Sequence, residues 1–145
     1  MKGVIKMNMK SQKMNLLLRI MFIVTIIAML GASLLQLFVP DKMGANSEYG
    51  TAIGWQREIG FWNLTVLPIL IGINLKYDYF FLKLIVISLI VGGVGFGTNH
   101  LIGYFEDTSK VISLIGAIEN YFLAVMWVIG LKVEASRVGI KKEVS

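Results

Sequence analysis

Four long runs of apolar residues, separated by short polar segments, set the pattern of this chain. They cover 20–39, 59–75, 84–103 and 111–131. A helix needs about 20 mostly apolar residues to cross the hydrocarbon core of a bilayer, and each run is close to that length. With their flanking residues, the runs predict membrane helices at about 16–39, 57–75, 79–103 and 111–132.

The connections between the runs predict the fold class. Most of them are short, and helices joined by short connections lie antiparallel as neighbours. We therefore expect an all-α fold, an integral membrane four-helix bundle with antiparallel up-down topology, in which 1–145 form a single membrane domain. The first run exceeds the 7–15 apolar residues of a secretory signal, so we interpret it as a retained helix. Pro68 is expected to kink the second helix.

Composition supports a membrane protein and excludes several other classes. Of 145 residues, 56% are hydrophobic and 16% are charged, and the mean hydropathy is +0.72. Soluble domains carry about 25% charged residues, and disordered chains need low hydrophobicity with high charge. The absence of cysteine excludes thiolate nucleophiles and iron–sulfur clusters.

The basic residues predict an orientation and explain the net charge of +5. Eleven of the 14 Lys and Arg residues lie in the N-terminal segment, the connection after the second helix, and the C-terminal segment. The other three are Lys42, Arg57 and Lys110. The positive-inside rule then places both termini in the cytoplasm of a multi-pass protein. We expect contact with membrane lipids and no nucleic-acid partner. The C-terminal segment, 132–145, is interpreted as a solvated end.

Polar residues within the apolar runs are the candidate site, because ionisable groups inside a membrane are costly and often functional. Glu119 is the deepest, at about 12 Å from the outer end of its helix. The up-and-down order is expected to gather the polar residues and two tryptophans in the outer half of the bundle. The predicted ligand-binding set is Trp55, Gln56, Arg57, Glu58, Trp62, Asn63, Asn99, His100, Glu119 and Asn120.

Other interpretations of these residues stay open at this point. Glu119 is also compatible with a structural acid bonded to Asn63, Asn99 or His100. No metal site is predicted, because His100 is the one histidine and nothing has the local spacing of a metal motif. A bis-histidine haem would need a second chain. The Gly93-x-x-x-Gly97 spacing indicates close helix packing, within the chain or between protomers.

The segment 54–64, Gly-Trp-Gln-Arg-Glu-Ile-Gly-Phe-Trp-Asn-Leu, resembles small four-helix bacterial membrane proteins of the DoxX-like group, in an uncharacterised subfamily. The matching positions are Glu58, Asn99-His100 and Glu119-Asn120, and Arg19 corresponds to a basic residue early in the first helix. The similarity covers about 16–131. It implies a four-helix bundle in a bacterial cytoplasmic membrane, and no established activity.

Three functions are compatible with these observations. The first is a non-enzymatic protein whose polar pocket binds a small ligand or a partner subunit, with a homo-oligomer as one form. The second is a redox component acting on a quinone, with His100 and Glu119 as hydrogen-bond or proton partners. The third is a proton-coupled small transporter in which Glu119 carries the proton. We expect neither haem nor an iron–sulfur cluster, and no catalytic residue is assigned.

Overall fold

The computed structural model describes residues 13–44 and 50–143. Every regular element within these ranges is a helix: α1 (Leu16–Phe38), α2 (Pro40–Gly44), α3 (Ile53–Leu75), α4 (Tyr79–Glu106) and α5 (Val111–Glu143). The prediction of an all-α fold is confirmed. Helices α1, α3, α4 and α5 are each long and apolar enough to cross a membrane.

Local sequence sets the ends of these helices. The Asn15 side chain caps α1 by accepting a hydrogen bond from the Leu18 backbone N–H at 2.9 Å. Pro40 starts the short helix α2, where its missing N–H costs nothing. Asp78 caps α4 by accepting from the Phe81 backbone N–H at 3.1 Å. The structure begins α3 at Ile53, before the predicted start at 57.

The end of α5 corrects the prediction of a solvated C-terminal segment from residue 132. The helix continues to Glu143, and the Glu134 side chain is 2% exposed. Glu134 and Arg137 form an ion pair of 2.8 Å across one helical turn. The apolar pattern predicted only where the hydrophobic stretch ends. Polar residues such as Lys132, Glu134 and Arg137 also favour a helix, so the helix continues beyond that stretch.

The long helices pack closely as two pairs, α1 with α3 and α4 with α5. A Cβ added at Gly60 of α3 would lie 3.0 Å from Leu37 Cγ of α1. A Cβ at Gly93 of α4 would lie 3.2 Å from the Asn120 carbonyl oxygen of α5, and one at Gly97 would lie 3.3 Å from the Tyr121 ring. Both glycines of the Gly93-x-x-x-Gly97 spacing thus serve packing within the chain.

The two pairs meet where α1 begins and α3 ends. The buried core there contains Phe22 and Leu18 of α1, Leu70 of α3, Leu82 of α4 and Trp127 of α5. The rings of Phe22 and Trp127 contact edge to face, with centroids 4.8 Å apart. The described contacts between the pairs concentrate at this end, so the pairs are held together there.

Most of the helical surface is apolar and exposed. In the most apolar window of each long helix, only 17–22% of the residues are buried within the chain. Exposed leucine, isoleucine and phenylalanine side chains on such a scale suit contact with lipid hydrocarbon. The four helices therefore indicate a multi-pass membrane protein. The up-and-down order and the cytoplasmic position of both termini stay predictions.

Candidate functional site: a cavity between two helix pairs

A cavity of about 540 Å³ separates the α1–α3 pair from the α4–α5 pair. All four long helices contribute to its wall, each from near the middle of its length. We call this space the central cavity. Its lining residues are Val24, Thr25, Ala28, Met29, Trp62, Asn63, Val66, Ser88, Leu89, Gly92, Gly93, Phe96, Asn120, Leu123 and Trp127.

The central cavity is open at the side of the helices. Three of its large apolar lining side chains are at least half exposed, namely Val24, Trp62 and Phe96. At the other extreme, Trp127 is 2% exposed and packs on Phe22 in the core. The wall therefore runs from the buried core out to the exposed surface of the helices.

The wall of the cavity is mainly apolar and carries four polar side chains with oxygen atoms. Asn63 Nδ2 donates to Gln36 Oε1 at 3.1 Å, and Asn120 Nδ2 donates to the Gly116 carbonyl at 2.8 Å. The Ser88 hydroxyl donates to the Leu84 carbonyl at 3.0 Å. Thr25 Oγ1 is buried and has no hydrogen-bond partner among the described residues.

Charged side chains do not line the described wall of the cavity. A buried ion without a counter-charge is strongly unfavourable, so this wall suits an uncharged molecule. Cavities of 300–1,000 Å³ with mostly apolar walls and a few polar groups are typical of small-molecule sites. The central cavity has both the size and the character of such a site.

Of the ten residues predicted to bind a ligand, the structure places three in the cavity wall: Trp62, Asn63 and Asn120. Gln56 is buried, in the first turn of α3, outside the wall. The His100 ring of α4 packs against Gly116 of α5, where an added Cβ would lie 3.0 Å from Nε2. The remaining predicted residues are exposed and lie outside the wall: Trp55, Arg57, Glu58, Asn99 and Glu119.

A second polar group, which the sequence did not predict, surrounds Glu134 where α1 begins. One carboxylate oxygen accepts from the Asn15 backbone N–H (2.8 Å), Asn15 Nδ2 (2.9 Å) and Arg137 Nη1 (2.8 Å). The other accepts from the Tyr77 hydroxyl at 2.7 Å. We call these four residues the Glu134 cluster. Every partner donates, which suits an ionised carboxylate.

The Glu134 cluster ties three parts of the chain together. Asn15 precedes α1, Tyr77 lies between α3 and α4, and Glu134 and Arg137 belong to α5. Burial, together with the adjacent Glu134 carboxylate, raises the pKa of the Tyr77 phenol above its usual value of 10.0. A phenol held neutral in this way keeps its proton for the hydrogen bond. The arrangement serves to join the helix pairs.

Some signal for this cluster was present in the sequence. Glu134 and Arg137 are three residues apart, which places them on one face of a helix if the helix continues. Asn15 stands directly before an apolar run, as a helix cap does. Neither signal connects residue 15 with residue 134, because that contact depends on how α1 packs against α5.

Comparison of the chain with protein-family models, with characterised proteins and with solved structures gave no match. The similarity to the DoxX-like group therefore stays a prediction from the short motifs of the sequence. Functional conclusions rest on the geometry of the chain itself.

Proposed function

We propose that this protein binds an apolar small molecule of the bilayer in the central cavity. The observation that carries the proposal is the cavity itself, about 540 Å³ with a mainly apolar wall drawn from all four long helices. Well-packed protein interiors leave few voids larger than a water molecule. An opening of this size at mid-helix is better suited to a ligand than to packing.

The tightly joined end of the molecule supports the same proposal. The core around Phe22 and Trp127 and the Glu134 cluster hold the helix pairs together at that end. Next to that end, the cavity lies between the pairs, and Trp62 and Phe96 in its wall are exposed. A fixed end and an open middle would let a membrane-soluble molecule enter from the side without unfolding the chain.

Filling the cavity tests the proposal, and α4 offers a matched pair of glycines. A Cβ at Gly92, in the cavity wall, would meet only Phe96 Cε2 at 3.8 Å, and one at Gly95 would meet nothing within 4 Å. We expect Gly92→Leu to lose the molecules that copurify with the wild-type chain, while Gly95→Leu retains them. Mass spectrometry of the lipid extract, normalised to protein, measures this difference.

The outcome is interpretable only if both variants are folded, which circular dichroism and thermal unfolding establish. Equal amounts of the same molecule in folded Gly92→Leu and in Gly95→Leu would contradict the proposal. So would a wild-type extract no richer in any molecule than the bulk lipid of the membrane.

A quinone is a second candidate, favoured by the aromatic side chains in the wall. Trp62, Phe96 and Trp127 come from three different helices and all line the cavity. Flat rings pack well against such side chains. A redox difference spectrum of the lipid extract would detect a bound quinone directly, and a spectrum without one would remove this candidate.

The other sequence hypotheses have less support from the geometry. Glu119 is exposed on α5 and outside the cavity wall, so the cavity does not support Glu119 as a proton carrier. An exposed acid among the apolar residues of a membrane helix is costly, and this favours a partner subunit or second copy over that face. Membership of the DoxX-like group and location in a bacterial cytoplasmic membrane are part of the proposal.

A further inference from the structure

We infer that the ligand of the central cavity is an uncharged lipid whose head group is a hydroxyl. The inference rests on the proposed function and concerns the chemistry of the same site. It follows from two properties of the wall, the lack of charge and the hydrogen-bonding state of its polar side chains.

The lack of charge limits the head group. The described wall has neither a basic side chain to pair with a phosphate or carboxylate nor an acidic one to pair with an amine. Arg57 and Glu119 are exposed and outside the wall. Because an unpaired ion in an apolar site is strongly unfavourable, phospholipids, ionised fatty acids and lipid amines do not suit it.

The polar side chains of the wall then favour a ligand group that both donates and accepts hydrogen bonds. Asn63 and Asn120 each donate one amide N–H within the chain, and each amide also carries a second N–H that donates and an oxygen that accepts. The single O–H of Ser88 donates to the Leu84 carbonyl, so the Ser88 oxygen can only accept a hydrogen bond from a ligand.

Thr25 adds a fourth oxygen to this set. Its hydroxyl is buried and unpartnered among the described residues, and it can either accept or donate. Since buried polar groups are nearly always hydrogen-bonded, a ligand that forms a hydrogen bond with the Thr25 hydroxyl gains affinity. A hydroxyl donates one hydrogen bond and also accepts, whereas ethers, esters and ketones only accept.

Three probes with one hydrocarbon chain separate these head groups: hexadecanol, hexadecyl methyl ether and hexadecyl phosphate. The full chain is placed in lipid nanodiscs, and retention of each probe is measured against empty nanodiscs. We expect hexadecanol to bind about tenfold more tightly than the ether, because the ether cannot donate a hydrogen bond to the oxygen atoms of the wall. The phosphate is expected to bind no better than the ether.

A paired substitution shows whether the preference arises in the cavity. Asn120→Leu removes the Asn120 amide from the wall and keeps the number of side-chain heavy atoms, and we expect it to cut the ratio of alcohol to ether affinity severalfold. Asn74→Leu makes the same change in α3 outside the wall and should leave the ratio unchanged. The ratio is independent of how much of either variant folds, provided that the folded fraction is assayed.

The outcomes distinguish the two proposals. Equal binding of alcohol and ether, or tightest binding of the phosphate, would overturn the hydroxyl inference and leave the cavity as a ligand site. Failure of hexadecanol to bind, while another molecule copurifies in a manner sensitive to Gly92→Leu, would also overturn the inference alone. Failure of every probe together with the absence of any copurifying molecule would overturn both.

Discussion

The backbone N–H of Asn15 donates a hydrogen bond of 2.8 Å to the Glu134 carboxylate, although 119 residues separate them. The contact joins the residue that caps the start of α1 to the C-terminal half of α5. It lies beside Gly130, whose carbonyl accepts from Asn15 Nδ2 at 3.0 Å. This junction fixes one end of the two helix pairs and so determines where the cavity between them can open.

Loss of the Glu134 carboxylate is expected to destabilise the protein strongly. Glu134→Ala removes the buried carboxylate that accepts from Asn15, Tyr77 and Arg137, which costs about 3 kcal/mol in the free energy of unfolding. Glu134→Gln keeps part of the hydrogen bonding and should cost less. Unfolding in a denaturing detergent measures both, with Glu106→Ala, at an exposed position, as the control. Equal stability of Glu134→Ala and Glu106→Ala would contradict the role of the cluster.

Gly130 is expected to be required for the approach of α1 to α5. A Cβ there would lie 2.6 Å from Leu18 Cδ2 and 3.0 Å from Leu18 Cγ, and Leu18 is fully buried. Gly130→Ala should therefore lower the free energy of unfolding by about 1–3 kcal/mol, the usual range for overpacking. Gly139→Ala in the same helix meets nothing within 4 Å and should be neutral or stabilising. Thermal unfolding compares the two, and a Gly130→Ala variant as stable as Gly139→Ala would refute the close contact.

The raised pKa of Tyr77 predicts a dependence of stability on alkaline pH. Because the folded state favours the neutral phenol, the stability from Tyr77 is fully present below its ordinary pKa of 10.0 and falls as the pH rises above that value. The difference in unfolding free energy between wild type and Tyr77→Phe should thus shrink above about pH 10. Tyrosinate absorbance should also show one late-titrating tyrosine that Tyr77→Phe lacks. A titration unchanged by Tyr77→Phe would contradict the assignment.

The cysteine-free sequence allows a direct test of the predicted orientation. Lys13→Cys lies just before α1, and Thr108→Cys lies in the turn between α4 and α5. With both termini in the cytoplasm, an impermeant maleimide added to intact cells should label Thr108→Cys and not Lys13→Cys. Permeabilised cells should label both. Labelling of Lys13→Cys alone in intact cells would show the opposite orientation and contradict the prediction.

Much of the fold follows from the sequence by itself. Runs of about 20 apolar residues must form helices in a bilayer, because every backbone polar group has to be satisfied within its own segment. This reasoning applies to α1, α3, α4 and α5, each of which is long and apolar enough to span. The same reasoning could not predict where α5 ends, because the apolar run ends at residue 131 whereas the helix continues to Glu143.

Which residues line the candidate site depends much more strongly on tertiary structure. The depth of a residue along a helix can be counted from the sequence, and two of the residues chosen in this way, Asn63 and Asn120, line the cavity. Depth alone cannot say which way a side chain faces, and Glu119, adjacent to Asn120, lies on the exposed side of α5 while Asn120 lines the cavity. Successive side chains on a helix point about 100° apart, so the neighbour of a residue that lines the cavity can lie on the exposed side.

The sequence by itself thus predicted a membrane protein with four long helices, because hydrophobic length is a local property. Only the tertiary structure decided that α1 pairs with α3 and α4 with α5, that Glu134 is buried against Asn15, and that a cavity lies between the pairs. These features depend on which faces of distant helices meet. Close contacts such as the one between Gly130 and Leu18 determine which faces meet. Nothing in the sequence indicates that these two residues are in contact.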